Sequence, residues 1–202
     1  MDERVERGMQ RQLEAAPDDR IGWKLALNAP AIVKALGIGE PALGGLFRSR
    51  VASSGSHSLA GATRPAVEPE LLIQAGEGGA VARLGAALEV VDLDRPLDDV
   101  EEVVAANIFH RAVAFGSLSD FVDPGRAVFR VNEEERAVVD SFERPIETLA
   151  FVDRFLQGLG GGLAEGELVI AGALAPATPV VAGDIAALSV DGIGAVSLAF
   201  TA

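Results

Sequence analysis

Cysteine is absent from the 202 residues. That excludes disulfides, thiolate metal ligands and a cysteine nucleophile, and it is compatible with a reducing cytoplasm. Basic residues are scarce: 17 Lys and Arg face 30 Asp and Glu, for a net charge of -13. A phosphate backbone needs a cationic footprint, so nucleic acid is disfavoured as a partner. No apolar run is long enough to span a bilayer; the longest uncharged stretch, Leu168 to Gly183, is broken by Gly172, Pro176 and Pro179. The first residues, Met1-Asp2-Glu3-Arg4-Val5-Glu6-Arg7, are charged where an export signal needs an apolar core. These absences predict a soluble cytoplasmic protein with no membrane partner. Histidine is also rare, and no nucleophile-elbow pattern accompanies His57 and His110. His57 lies in a Ser-rich loop and His110 falls within a predicted helix, so both read as surface residues.

What is present can bury a core: 49% of the residues are apolar and the mean hydropathy is +0.29. Val5, Met9 and Leu13 recur at four-residue spacing, which predicts an amphipathic helix closed by Ala16-Pro17-Asp18-Asp19. The chain divides into this helical segment, 1-20, and one domain over 21-202. A second helix is expected from Asp98 to about Val113, with Val100, Val103, Val104 and Ile108 on one stripe. A third is expected from Pro145 to the stop at Gly160-Gly161-Gly162. Most of the remainder reads as short strands, including Ala127–Val131, Arg136–Asp140 and Leu168–Ile170. Asp191-Gly192 marks a hairpin. Strands outnumber helices without alternating with them, which predicts an antiparallel-rich α+β domain.

Within one predicted strand, Val67-Glu68-Pro69-Glu70-Leu71, two acids sit at i and i+2 and therefore face the same way. A third, Glu89, is enclosed by Leu88 and Val90-Val91 in a second apolar run. Exposed acids on a wet strand face are commonplace, but a buried acid wants a partner, and only Arg83 and Arg95 are close in sequence. Two carboxylates about 4 Å apart repel by roughly 4 kcal/mol at an effective dielectric near 20. A hard divalent cation offsets that repulsion best, so Glu68, Glu70 and Glu89 are candidate ligands for Mg²⁺ or Mn²⁺. Lys24, in the apolar run between Trp23 and Leu25, is a candidate proton carrier or a cation for a substrate carboxylate. Arg48, Arg50 and Arg64 flank the Ser-rich loop and are candidates for a distal substrate carboxylate.

The order of these segments resembles that of 2-keto-4-pentenoate hydratases and 4-oxalocrotonate decarboxylases of the fumarylacetoacetate hydrolase superfamily. The resemblance rests on Gly22-Trp23-Lys24-Leu25-Ala26-Leu27, Leu36-Gly37-Ile38, Pro41, Gly44, Leu46, the Glu68 and Glu89 segments, and the closing stretches Gly166–Leu174, Pro179-Val180, Gly183-Asp184 and Gly192–Leu198. It implies a mixed, rolled β-sheet with flanking helices, a metal triad at Glu68, Glu70 and Glu89, a catalytic Lys24, and substrate contacts at Lys24, Gly172 and Arg48. The chain departs from the family pattern at Ala42, after Pro41, where an acid is usual. It departs again at Ala26, Asn28 and Ala171, and its N-terminal helical region looks shorter than the family norm.

The activity so implied is a divalent-metal-dependent lyase acting on a 2-oxo acid or 2-hydroxydienoate through an enolate, with hydratase placed first. Decarboxylation or tautomerisation is the alternative. A different class of role is a non-catalytic family member serving as an assembly partner. A homo-oligomer and association with another enzyme of the same pathway are further expectations from the resemblance.

Overall fold

A computed structural model describes residues 1–15, 18–142 and 144–202. The elements in chain order are α1 (Glu3–Ala15), β1 (Arg20–Ala26), α2 (Pro30–Leu36), β2 (Ala42–Phe47), β3 (Ser56–Ser58), β4 (Pro65–Ala75) and β5 (Val81–Asp92). They continue with α3 (Val100–Ala105), β6 (His110–Phe115), β7 (Ser119–Asp120), β8 (Ala127–Val131), β9 (Glu134–Val139), α4 (Pro145–Gly158), β10 (Leu168–Ala173), β11 (Thr178–Pro179), β12 (Ile185–Val190) and β13 (Gly194–Thr201). The larger sheet runs β2-β1-β10-β4-β5-β6, with β11 and β7 attached to β4 and β5. The smaller runs β3-β13-β12-β8-β9. Pairing is antiparallel except for β1 with β10 and β3 with β13, so the fold is the mixed, mostly antiparallel α+β arrangement that the strand pattern predicts.

The larger sheet is rolled until its ends meet. Ala52, just beyond β2, donates its N–H to the Val113 carbonyl of β6 at 2.9 Å, and Val51 pairs in parallel with Val113. Asn107, in the turn before β6, holds β2 from the same side: Nδ2 donates to the Gly45 carbonyl and Oδ1 accepts from the Gly45 N–H, each at 2.9 Å. Strands β12 and β13 cover β5, and Leu188, Val190, Leu198 and Phe200 join Leu84, Leu88 and Val90 in one buried cluster. The concave face of the rolled sheet stays open enough to form a cavity.

Helix α1 follows the four-residue spacing: Val5 and Met9 are buried and Leu13 packs against the core. Its expected stop at Ala16-Pro17 lies outside the described residues. The helix lies on α3, where Gly8 permits a close approach: a Cβ there would sit 2.7 Å from Val104 Cβ and 2.8 Å from the Glu101 carbonyl oxygen. Buried Gln12 ties three elements together, donating Nε2 to the Val104 carbonyl at 2.6 Å and accepting from the Gly45 N–H at 2.9 Å.

The helix expected over 98–113 is much shorter. Asp99 Oδ1 caps α3 by accepting from the Glu102 N–H, but the helix stops at Ala105 and three successive left-handed residues follow, Asn107, Ile108 and Phe109, at φ 61°, 48° and 63°. The chain then enters β6. Val100, Val103, Val104 and Ile108 are all buried as the stripe requires, Ile108 by way of the turn. The third helix forms as read, although it ends at Gly158.

The α1–α3 contact yields a stability prediction. Gly8→Leu should overpack it, costing about 1–3 kcal/mol and lowering Tm by several degrees in circular dichroism melts. Arg7→Ala removes exposed ion pairs to Glu101 and Glu3 and should leave Tm nearly unchanged. Equal Tm values for the wild type and Gly8→Leu would show that α1 is not docked on α3 in solution.

Candidate functional site

Strands β4 and β5 assemble the acids. Glu68 lies directly opposite Glu89 in their antiparallel register, and Glu70 sits two residues along on the same face as Glu68. One carboxylate oxygen from each of the three lies within 4.8 Å of the others. Glu70 and Glu89 are buried at 1% exposure, and Glu68 is half-buried at the mouth. The smaller neighbour that makes room is Gly172. Its φ of +92° bulges β10 between Ile170 and Ala173, so its N–H leaves the ladder and donates to Glu70 Oε2 at 2.8 Å. A Cβ at this position would collide with the Asn28 side chain.

Lys24 reaches the cluster from across the roll. Strands β1 and β5 are three steps apart in the sheet, about 14 Å if it were flat, yet Lys24 Nζ lies 2.5 Å from Glu89 Oε1. The ammonium also donates to the Ile108 carbonyl at 2.9 Å, an acceptor that the left-handed turn presents. The lysine stem runs over Gly44, where a Cβ would meet Lys24 Cγ and Cε at 2.9 Å and the Asn107 side chain as well. Two of the three ammonium donors are thus engaged, and the third remains for the cavity that Lys24 lines.

His110 completes the surroundings of Glu89. Instead of sitting on a helix surface, it is buried on β6 with Nδ1 2.8 Å from Glu89 Oε1. Burial holds its pKa below the usual histidine value despite the pull of Glu89. A carboxylate can only accept, so the neutral ring carries its proton on Nδ1, which leaves Nε2 a buried acceptor without a partner. The partners of Glu89 are therefore Lys24 and His110 rather than Arg83 or Arg95; Arg83 is exposed and Arg95 pairs with Asp94.

The electrostatics of the acids divide accordingly. Burial raises the Glu68 pKa to about 7, reinforced by the Glu89 charge. Burial raises Glu70 well above the usual range, with Glu89 and Glu68 adding to it. Burial acts on Glu89 in the same sense, but Lys24 and His110 outweigh it and draw the carboxyl down to about 2. Lys24 offsets one of the three acidic charges, and no other cation among the described residues lines the cavity. Two carboxylates remain without compensation, which matches the charge, the oxygen ligands and the spacing that a dication takes. The residues present fit the metal that the triad implies.

The cavity has a volume of about 590 Å³ and is lined by Lys24 and the three acids at one end. Its other walls are Leu27, Ile32, Leu93, Leu97, Phe109 and Leu174 with their neighbours. Arg48, Arg50 and Arg64 do not line it. Arg48 lies on an exposed 3-10 turn beyond β2, at the Arg20 end of β1, and Arg50 donates to the Arg111 carbonyl. His57, on β3, is also outside the cavity. Ala42 is wholly buried beside Ala26 and leaves no acid in that position. Asn107, Gly44 and His110 are the supporting residues that spacing did not reveal; an asparagine after a helix, ready to adopt positive φ, was the one available signal.

The rolled β-sheet fold of this chain is similar to that of solved proteins of the fumarylacetoacetate hydrolase family. A magnesium- and adipate-bound 4-oxalocrotonate decarboxylase from Pseudomonas putida G7 superposes with a TM-score of 0.81 at 22% identity, covering 95% of this chain and 81% of that one. A fumarylpyruvate hydrolase from Pseudomonas aeruginosa, in complex with Mn²⁺ and pyruvate, gives 0.70 at 18% identity over 93% of each chain. In sequence the chain is similar to the 2-keto-4-pentenoate hydratase of Paraburkholderia phymatum, at 28% identity over 94% of this chain and 81% of that protein. No family model matches.

Metal uptake by this cluster should depend on pH. Glu68 and Glu70 have raised pKa values and must lose their protons to act as ligands, so affinity rises with pH through about 7. Calorimetric Mn²⁺ titration should show at least about tenfold tighter binding at pH 8 than at pH 6, with proton release visible as buffer-dependent heat. A flat profile would contradict the protonation of the two acids in the metal-free protein.

Proposed function

We propose that the protein is a divalent-metal-dependent lyase acting on a 2-oxo acid or its 2-hydroxydienoate, with hydration as the first assignment. The observation that carries this reading is the convergence of three buried carboxylates and one lysine on the polar end of an otherwise apolar cavity. Glu68, Glu70 and Glu89 would hold Mg²⁺ or Mn²⁺. When bound, that ion supplies Lewis-acid polarisation and a chelating template for the carboxylate and keto oxygens of a 2-oxo acid.

The chain's own groups do the rest. Glu89 and the Ile108 carbonyl fix Lys24 Nζ with one donor free, so Lys24 can deliver a proton to the substrate carbon chain and take it back. His110 fixes Glu89 from behind, which keeps Oε1 occupied and leaves Oε2 for the cavity. The apolar walls exclude bulk water from the reacting carbons. Hydration is placed first because the similarity to hydratase sequences extends over nearly the whole chain.

Decarboxylation or tautomerisation is kept as the second reading on a specific observation. Adding water needs a base, and among the described residues the only carboxylates lining the cavity are the three proposed ligands, while Ala42 fills the position of the usual acid. Proton delivery alone, which those two reactions require, is within the reach of Lys24. A cytoplasmic location, assembly as a homo-oligomer and association with another enzyme of the same pathway are part of the same proposal.

The test follows loss of ultraviolet absorbance of a 2-hydroxydienoate on addition of Mg²⁺ or Mn²⁺. Lys24→Met should reduce kcat by about 10²–10⁴ while Mn²⁺ affinity is retained. Undiminished turnover would remove Lys24 from the mechanism. No turnover by the wild type across several 2-oxo acids, with metal bound, would point instead to a non-catalytic partner subunit.

A further inference from the structure

We infer that the substrate carries a single carboxylate and ends in an uncharged, apolar substituent of several carbon atoms, so that a dicarboxylic 2-oxo acid is discriminated against. This rests on the proposed function for the position of the 2-oxo acid head. The tail assignment comes from the rest of the cavity. Beyond the acids and Lys24, the wall is formed by Leu27, Ile32, Leu93, Leu97, Phe109 and Leu174, and among the described residues Asn28 is the only further polar side chain.

A second carboxylate would have nothing to meet there. Among the described residues the one cation that lines the cavity, Lys24, is already bound to Glu89 and the Ile108 carbonyl at the head end. Arg48 is on an exposed turn; Arg50, Arg95 and Arg111 line an adjoining polar cavity on the other side of Phe109, and Lys34 lines an adjoining groove beyond Asn28, so none of these cations is on the wall of the tail space. Desolvating an unpaired carboxylate against leucine and phenylalanine is strongly unfavourable, whereas each methylene placed there leaves water with a gain.

Asn28 does not change this. Its side chain is packed against Gly172, at the place where a Cβ would collide with it, and an amide offers no charge. The walls that decide the tail come from three places, the β1–α2 connection, the 93–97 segment with Phe109, and the segment after β10. None of them contributes a metal ligand, so tail preference is separable from the head site.

The experiment compares ligands by calorimetry in the presence of Mg²⁺, with no turnover required. Oxalate and pyruvate report on the head; 2-oxooctanoate and 2-oxooctanedioate have equal length and differ in the terminal carboxylate. Each methylene buried should tighten binding about fourfold, so 2-oxooctanoate should bind at least about tenfold more tightly than both pyruvate and the dicarboxylate. Leu97→Arg, on a partly exposed segment, should raise affinity for 2-oxooctanedioate about tenfold relative to 2-oxooctanoate. Binding of oxalate and pyruvate together with equal or tighter binding of the dicarboxylate overturns the tail assignment alone. Failure of all four acids to bind overturns it together with the proposed function.

Discussion

The constraint on which this structure turns is the burial of three carboxylates at one point on the inside of a rolled sheet. Burial disfavours the charged form of each, and their mutual repulsion adds to it, so the fold must offer compensation or leave the acids protonated. It offers one lysine, set against Glu89. Removing one partner of such a buried pair costs on the order of 3–5 kcal/mol, and the neighbouring features are consistent with that stake. Gly44 lets the lysine stem pass. The left-handed turn at Asn107–Phe109 turns a carbonyl toward Nζ, and the Asn107 amide bonds that turn to β2. Gln12 Oε1 shares the Gly45 N–H with Asn107 Oδ1, so even the N-terminal helix is linked to the position of the ammonium.

How much of this could be read in the sequence depends on how local each signal is. Glu68 and Glu70 were legible because a strand alternates its faces, and Glu89 because an acid inside a run of aliphatic residues is costly. The partner of Glu89 was not legible, since Lys24 is 65 residues away and meets it only because the sheet curls. The stripe Val100, Val103, Val104, Ile108 fits a helix of 3.6-residue period and so hid the change to strand at His110. Four apolar positions are too few to distinguish a continuing helix from a helix followed by a turn that buries the fourth. His110 was misplaced in consequence: it was read as a surface residue and lies behind the acid cluster. Arg48 was drawn toward the site by charge alone; nothing in its local sequence could say that β2 carries it to the far end of β1.

Composition and spacing therefore pointed to the three acids that converge, and topology supplied their surroundings. The β4–β5 register brings two acids face to face, as the period of two allows. The cavity's apolar extent, by contrast, is made from loops and strand ends far apart in sequence, each with an unremarkable aliphatic residue. No pattern of single residues marks Leu27, Leu97 and Leu174 as neighbours, and only the rolled sheet makes them one wall.

The charge balance of the cluster connects these two halves. With one dication and Lys24 in place, the charges of the three carboxylates would be balanced and nothing would be left over. A substrate carboxylate arriving at that neutral site is favoured only if it binds the ion directly, because Lys24 has its charge committed to Glu89. The metal would then be required for binding the acid as well as for its chemistry, and a 2-oxo acid that chelates would be preferred over a simple carboxylate of the same length. The same reasoning runs outward along the cavity. Once the first carboxylate is satisfied, every further negative charge enters a neutral, aliphatic space without a counter-ion, so selectivity for the tail follows from the absence of charge beyond the head. The three glutamates and the leucines thus act as one device: the acids set the requirement for a cation, and the lack of any other cation limits what the remainder of the substrate can be.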